Sequence, residues 1–120
     1  MGFESMYEFA YNEIVEESSQ AMRAQEARAL DRVIAMLKEA EETGPQSRLG
    51  INALYQLRTL WTVFLEDLNS PDNGLPTALR ARLISIGIWV LKEVERLRSG
   101  DTQDMASLIE INQIIRDGLN

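Results

Sequence analysis

The chain has 120 residues, a net charge of −7, and neither cysteine nor histidine. These absences exclude disulfides, thiolate and imidazole catalysis and the commonest zinc ligands, while the acidic balance opposes binding to phosphate backbones and anionic membranes. No apolar run approaches the roughly 18 residues of a membrane helix and the N-terminus lacks the basic and apolar regions of a secretory signal, so we expect one cytoplasmic domain.

The first 18 residues predict a short lead before the helices. Tyr7, Phe9 and Tyr11 alternate, which would place three aromatic side chains on one side of an extended segment. Such a segment could lie across the helices that follow. Met6 can itself serve as a start, so residues 1–5 are expected to be a cloning remnant and residues 6–120 a single helical domain.

The first two predicted helices are separated by Gly44 and Pro45, which stop helices. The first is predicted to begin after Ser18 or Ser19, either of which can cap it, and to end near Thr43. Its apolar residues recur at helical spacing and form one stripe.

The second helix is predicted to run from about Ser47 to Asn69. Its apolar residues share an arc of about 160°, which is wider than a contact with one neighbour needs. Trp61 lies in the middle of this arc and is therefore predicted to be a core residue.

Two more helices are predicted at about Pro76–Ser99 and Thr102–Asp117, since Pro suits a first helical position and Gly follows each predicted end. Gly87 lies in the inward stripe of the third, at a cost of about 1 kcal/mol in helix propensity, which predicts close approach of another helix, internal or from a partner. Asn112 lies within the apolar arc of the fourth and must be hydrogen-bonded, either to a loop backbone or across a partner interface. Because the loops are short, we predict an all-α fold, a small antiparallel bundle of about four helices with an N-terminal lead.

No catalytic residue, metal ligand or cofactor is predicted. The chain has no glycine-rich phosphate loop, and no two carboxylates fall inside an apolar stripe, unlike the inward Glu-x-x-His pairs of di-iron bundles. Basic residues concentrate on the third helix, but no stacking aromatics accompany them, so a solvated face is expected there and direct contact with nucleic acid is not.

The predicted partner-binding residues are Trp89, Ile88, Ile86, Tyr7 and Phe9. Trp89 lies about 120° from the centre of the inward stripe of the third helix, among polar neighbours, and Trp is enriched at binding hot spots. Ile86 and Ile88 flank the same stripe. The alternative is that the lead covers Trp89 through Tyr7 or Phe9, and both interpretations hold if the lead moves.

Four stretches resemble the FlaF family of bacterial flagellar regulators. Met6-Tyr7-Glu8-Phe9 is similar to the family's start, and the segments 60–68, 83–89 and 108–119 resemble it more specifically. The resemblance covers nearly all of residues 6–120.

The resemblance implies a cytoplasmic protein needed to make and export flagellin, without catalytic residues. Its implied partner is flagellin, which it would bind through the terminal helices as a chaperone, in opposition to FlbT, a repressor of flagellin translation. Two alternatives stay open: a post-transcriptional regulator of flagellin messenger RNA, alone or with FlbT, and an adaptor to the flagellar export apparatus.

Overall fold

Four helices make up the regular structure of residues 24–119, the part of the chain that this computed structural model describes. Helix α1 covers residues 24–40 of this part, α2 covers Arg48–Asn69, α3 covers Thr77–Arg98 and α4 covers Ala106–Asp117. The described residues contain no strand. The predicted all-α class is confirmed, whereas the predicted start of α1 at Ser18 or Ser19 lies outside the described residues.

The ends of the first three helices follow local chemistry that the sequence shows. Gly44 adopts a φ of +96° after α1, and its N–H donates to the Ala40 carbonyl at 2.8 Å. The Ser47 hydroxyl oxygen caps α2 by accepting from the Gly50 N–H at 3.0 Å. Pro76, predicted to be the first residue of α3, is its N-cap, so the helix begins one residue later than predicted.

Helix α4 begins four residues later than the predicted Thr102. The N–H groups of Asp101 and Thr102 donate back to the Arg96 carbonyl, which closes α3 around Gly100 at a φ of +81°. Asp104 then accepts hydrogen bonds from the backbone N–H and the hydroxyl of Ser107, at 3.4 and 2.7 Å. These bonds lower the pKa of Asp104 below its ordinary value and make its carboxylate the cap of the helix.

Tertiary contacts define an antiparallel arrangement. Arg116 near the end of α4 forms an ion pair with Asp31 of α1, while Ala106 and Ile109 at the start of α4 line a shallow cleft with Lys38 and Glu41 at the end of α1. Helices α1 and α4 therefore run in opposite directions. Gly87 in the middle of α3 lies against Trp61 and Leu65 of α2. All four helices contribute to one core, and its largest fully buried side chain is that of Trp61, as predicted.

A buried hydrogen bond joins α2 to α4 through the centre of this core. The Trp61 indole Nε1–H donates to Asn112 Oδ1 at 2.7 Å, and Asn112 Nδ2 donates to the Leu108 carbonyl at 2.7 Å. Asn112 is fully buried. Both alternatives considered for its amide, a loop backbone and a partner interface, are therefore wrong: it bonds an indole and its own helix.

Two glycines permit close packing of backbone and side chains. A Cβ atom on Gly87 would lie 2.7 Å from Leu65 Cδ2 and 3.0 Å from Trp61 Cε3, so the predicted close approach is internal. A Cβ atom on Gly50 would collide with the Gly44 carbonyl oxygen and lie 2.6 Å from the Pro45 carbonyl carbon. Backbone atoms cannot move aside as a flexible side chain can, so Gly50 is required where the α1–α2 loop crosses the start of α2.

Removing the Asn112 acceptor should destabilise the fold. Asn112→Ala leaves the buried Trp61 N–H without a partner, which costs about 1–3 kcal/mol in addition to the lost packing. Urea unfolding followed by circular dichroism measures this change. In a Trp61→Phe background, which has no indole N–H, Asn112→Ala should lower the unfolding free energy by less. Equal losses in the two backgrounds would contradict the Trp61–Asn112 hydrogen bond as the source of the effect.

Gly50→Ala should lower the free energy of unfolding by about 1–3 kcal/mol, because the added methyl meets backbone rather than a movable side chain. Gly74→Ala is the matched control, since a Cβ atom there has no neighbour within 4 Å, and its effect should stay within about 0.5 kcal/mol. Equal urea midpoints for the two variants would show that the α1–α2 loop shifts to accommodate the methyl group, and would contradict this prediction.

Candidate functional site

The middle of α3 carries apolar side chains on several sides of the helix. At about 100° per residue, the order around the helix is Ile88, Gly87, Val90, Ile86 and Trp89. Gly87 faces α2 and Val90 is fully buried. Ile88 therefore lies on the flank of α3 beside α2, and Trp89 lies on the opposite flank.

The two outermost residues of this set are accessible. Trp89 exposes 38% of its surface and Ile88 exposes 46%, whereas Ile86 is partly buried and packs against the core. The predicted residues of α3 thus do not form one surface: Ile86 packs against the core, and Ile88 and Trp89 belong to different flanks. Tyr7 and Phe9 lie outside the described residues, and the binding role of all five remains a prediction.

Trp89 is preceded along its side of α3 by two small residues, Ala81 and Ser85, and by the exposed Arg82. Ser85 lies one turn before it and Ala81 two turns before it, and both are exposed. The Ser85 hydroxyl donates to the Ala81 carbonyl at 3.1 Å, so its polar group is satisfied within the helix. No charged residue occurs in 83–91. A partner could approach the α3 backbone closely at Ala81 and Ser85 and contact the indole of Trp89.

Charged residues border Trp89 toward the end of α3. Arg96 Nη1 donates to Glu93 Oε1 at 2.7 Å and Arg96 Nε donates to Asp101 Oδ2 at 3.1 Å. These two carboxylates raise the pKa of Arg96, with the Glu93 hydrogen bond as the larger cause. Arg98 bonds Glu95 at 2.8 Å in the same manner. Two of the five basic residues of α3, Arg96 and Arg98, are therefore paired within the chain.

A second set of exposed apolar residues lies on α2 and was not predicted from the sequence. Ile51 exposes 56% and Tyr55 exposes 61% of its surface. Only Arg58 is charged between residues 49 and 65. The sequence shows this scarcity of charge on the outer face, but the wide apolar arc of the helix predicted only its inward contacts.

The described residues hold neither a cluster of three side chains able to ligate a metal nor a helix that could span a membrane. What their architecture defines is a small all-α bundle protein with apolar side chains left at its surface.

The family model described as flagellar protein FlaF matches residues 7–119. The chain therefore belongs to the FlaF family, and the resemblance found in the sequence is confirmed. No curated protein and no solved structure matches the chain.

The two tryptophans should differ sharply when each is truncated. Trp61→Ala removes a side chain only 1% exposed and should cost about 3–5 kcal/mol of unfolding free energy. Trp89→Ala should cost less, because Trp89 leaves 38% of its surface exposed, so that less apolar area returns to water and no closed cavity is left behind. Equal losses in urea unfolding would show that Trp89 is a core residue and would remove it from the candidate site.

Proposed function

We propose that this FlaF-family protein binds flagellin as a chaperone-like helical partner and promotes its synthesis and export. Membership of a flagellar protein family supports the setting, and the exposed Trp89 on an uncharged stretch of α3 supports the binding mode. The expected ligand is a terminal helix of flagellin, taken up in the cytoplasm before assembly.

The surface chemistry around Trp89 suits an amphipathic helix. Such a helix binds through apolar residues every three or four positions, laid against a hydrophobic surface. Ala81 and Ser85 lower the surface next to Trp89, so a partner helix can lie close to α3 while the indole fills a gap between its side chains. The paired charges of Glu93 and Arg96 form a polar rim, which is the usual surround of a hot spot.

The proposal keeps Tyr7 and Phe9, which lie outside the described residues, as binding residues for flagellin together with Trp89.

Catalysis has no part in the proposal. The chain has neither histidine nor cysteine. The carboxylates with resolved contacts serve in ion pairs, at helix starts or in hydrogen bonds to side-chain amides, as Glu93, Asp104 and Asp117 do. Direct recognition of messenger RNA receives little support as well, because the net charge is −7 and two of the five basic residues of α3, Arg96 and Arg98, are engaged by acidic neighbours.

Calorimetric titration of flagellin into the purified full-length chain tests the proposal. We expect saturable 1:1 binding with a negative heat-capacity change, since apolar surface is buried. Absence of heat, together with an unchanged elution volume on sizing, would overturn flagellin as the direct partner and point to FlbT or an export component.

Trp89→Ala should weaken flagellin binding by about 2 kcal/mol or more, which is the hot-spot range. Tyr55→Ala is the matched control: it removes an exposed aromatic residue from another helix and should leave the affinity unchanged. Circular dichroism establishes that both variants are folded. If both lose affinity equally, or neither does, the Trp89 surface is not the binding site.

A further inference from the structure

The outer surface formed by α2 and α3 is distinct from the Trp89 side of the bundle. Exposed residues recur along α2 every three or four positions and form one stripe. Ile88 lies beside this stripe, because Gly87 contacts α2 at the level of Trp61 and Leu65. We call it the α2–α3 surface, and its members are Ile51, Tyr55, Arg58, Thr62 and Glu66 of α2 with Ile84 and Ile88 of α3.

The threonine hydroxyl groups on this part of α2 already donate hydrogen bonds within the helix. Thr62 Oγ1 donates to the Arg58 carbonyl at 2.8 Å, and the neighbouring Thr59 Oγ1 donates to the Tyr55 carbonyl at 3.0 Å. No solvent or partner is needed to satisfy these donors. The threonines therefore lose little when water leaves the α2–α3 surface.

Two opposite charges on this surface have no ion-pair partner among residues 24–119. Arg58 and Glu66 are both exposed, and neither belongs to an ion pair of the described part. Each lies four residues from Thr62, one before it and the other after it. They are about 12 Å apart along the helix axis, too far to pair with each other.

We propose that the α2–α3 surface binds a second copy of this chain, with the two α2 helices antiparallel about a twofold axis near Thr62. An isologous contact sets each residue against its mirror position. Arg58 then meets Glu66 of the second copy, and Glu66 meets Arg58 of the second copy, so two ion pairs form at once. Ile88 lies close to the axis, and Tyr55 packs toward the α3 helix of the other copy.

The distribution of charge favours the α2–α3 surface over other surfaces of the chain as the place where a second copy binds. Two chains of net charge −7 repel each other, and α2 is neutral, with two basic and two acidic residues. Contact through α2 therefore places neutral, complementary surfaces together and keeps the remaining charge apart. Trp89 lies on the opposite flank of α3, so the dimer leaves the proposed flagellin site open.

Sedimentation velocity of the full chain, from low micromolar to several hundred micromolar, tests the proposal through charge reversal. The unmodified chain should dimerise, and Arg58→Glu or Glu66→Arg alone should weaken the dimer about tenfold or more, because two attractive pairs become repulsive. A mixture of the two single variants should dimerise, since each supplies the charges the other lacks. The double variant should also dimerise.

Arg32→Glu and Glu39→Arg are matched controls, since both residues are exposed on α1 and the net charge changes equally; they should leave dimerisation intact. A chain monomeric at every concentration overturns the proposal, as does a dimer insensitive to the Arg58 and Glu66 reversals or a mixture of single variants that fails to associate. Flagellin titration of Arg58→Glu and Glu66→Arg separates this inference from the proposed function. A variant that is monomeric but still binds flagellin would show that flagellin binding does not depend on the dimer.

Discussion

The hydrogen bond between the Trp61 indole and the Asn112 amide is the constraint on which the bundle depends. A buried N–H and a buried carbonyl can be satisfied in few ways, so this bond specifies the relative position of α2 and α4, where apolar contacts alone would allow sliding. Gly87 adds a second constraint, because it admits the Trp61 ring and Leu65 against the α3 backbone. One tryptophan thus positions three of the four helices.

The position of Gly87 also determines which parts of α3 remain outside. With Gly87 turned toward α2 and Val90 toward the core, Ile88 and Trp89 must emerge on opposite flanks. The uncharged segment 83–91, whose sequence resembles that of a buried segment, therefore contributes to two surfaces. Under the two proposals made above, one flank would hold a second copy of the chain and the other would hold flagellin.

Periodicity and capping residues predicted the helices well, because Ser47, Pro76 and Gly100 end or begin helices through local chemistry. The start of α4 was predicted too early, since Asp101 and Thr102 bond back to α3, a contact that depends on how the loop folds. The partner of Asn112 could not be predicted either: the sequence showed a polar residue in an apolar arc, but the choice of Trp61 as its partner follows from the crossing of two helices. The close approach of Gly50 to the α1–α2 loop depends equally on tertiary placement.

The most direct test of flagellin binding at the Trp89 flank uses the absence of cysteine in the chain. A single Ser85→Cys variant carries an environment-sensitive fluorophore one helical turn from Trp89, and a Glu39→Cys variant carries the same fluorophore on the exposed side of α1. Saturating flagellin should shift the emission of the label at position 85 to the blue and leave the label at position 39 unchanged. Equal shifts at both positions, or a shift only at position 39, would contradict the assignment of the Trp89 flank as the flagellin-binding surface.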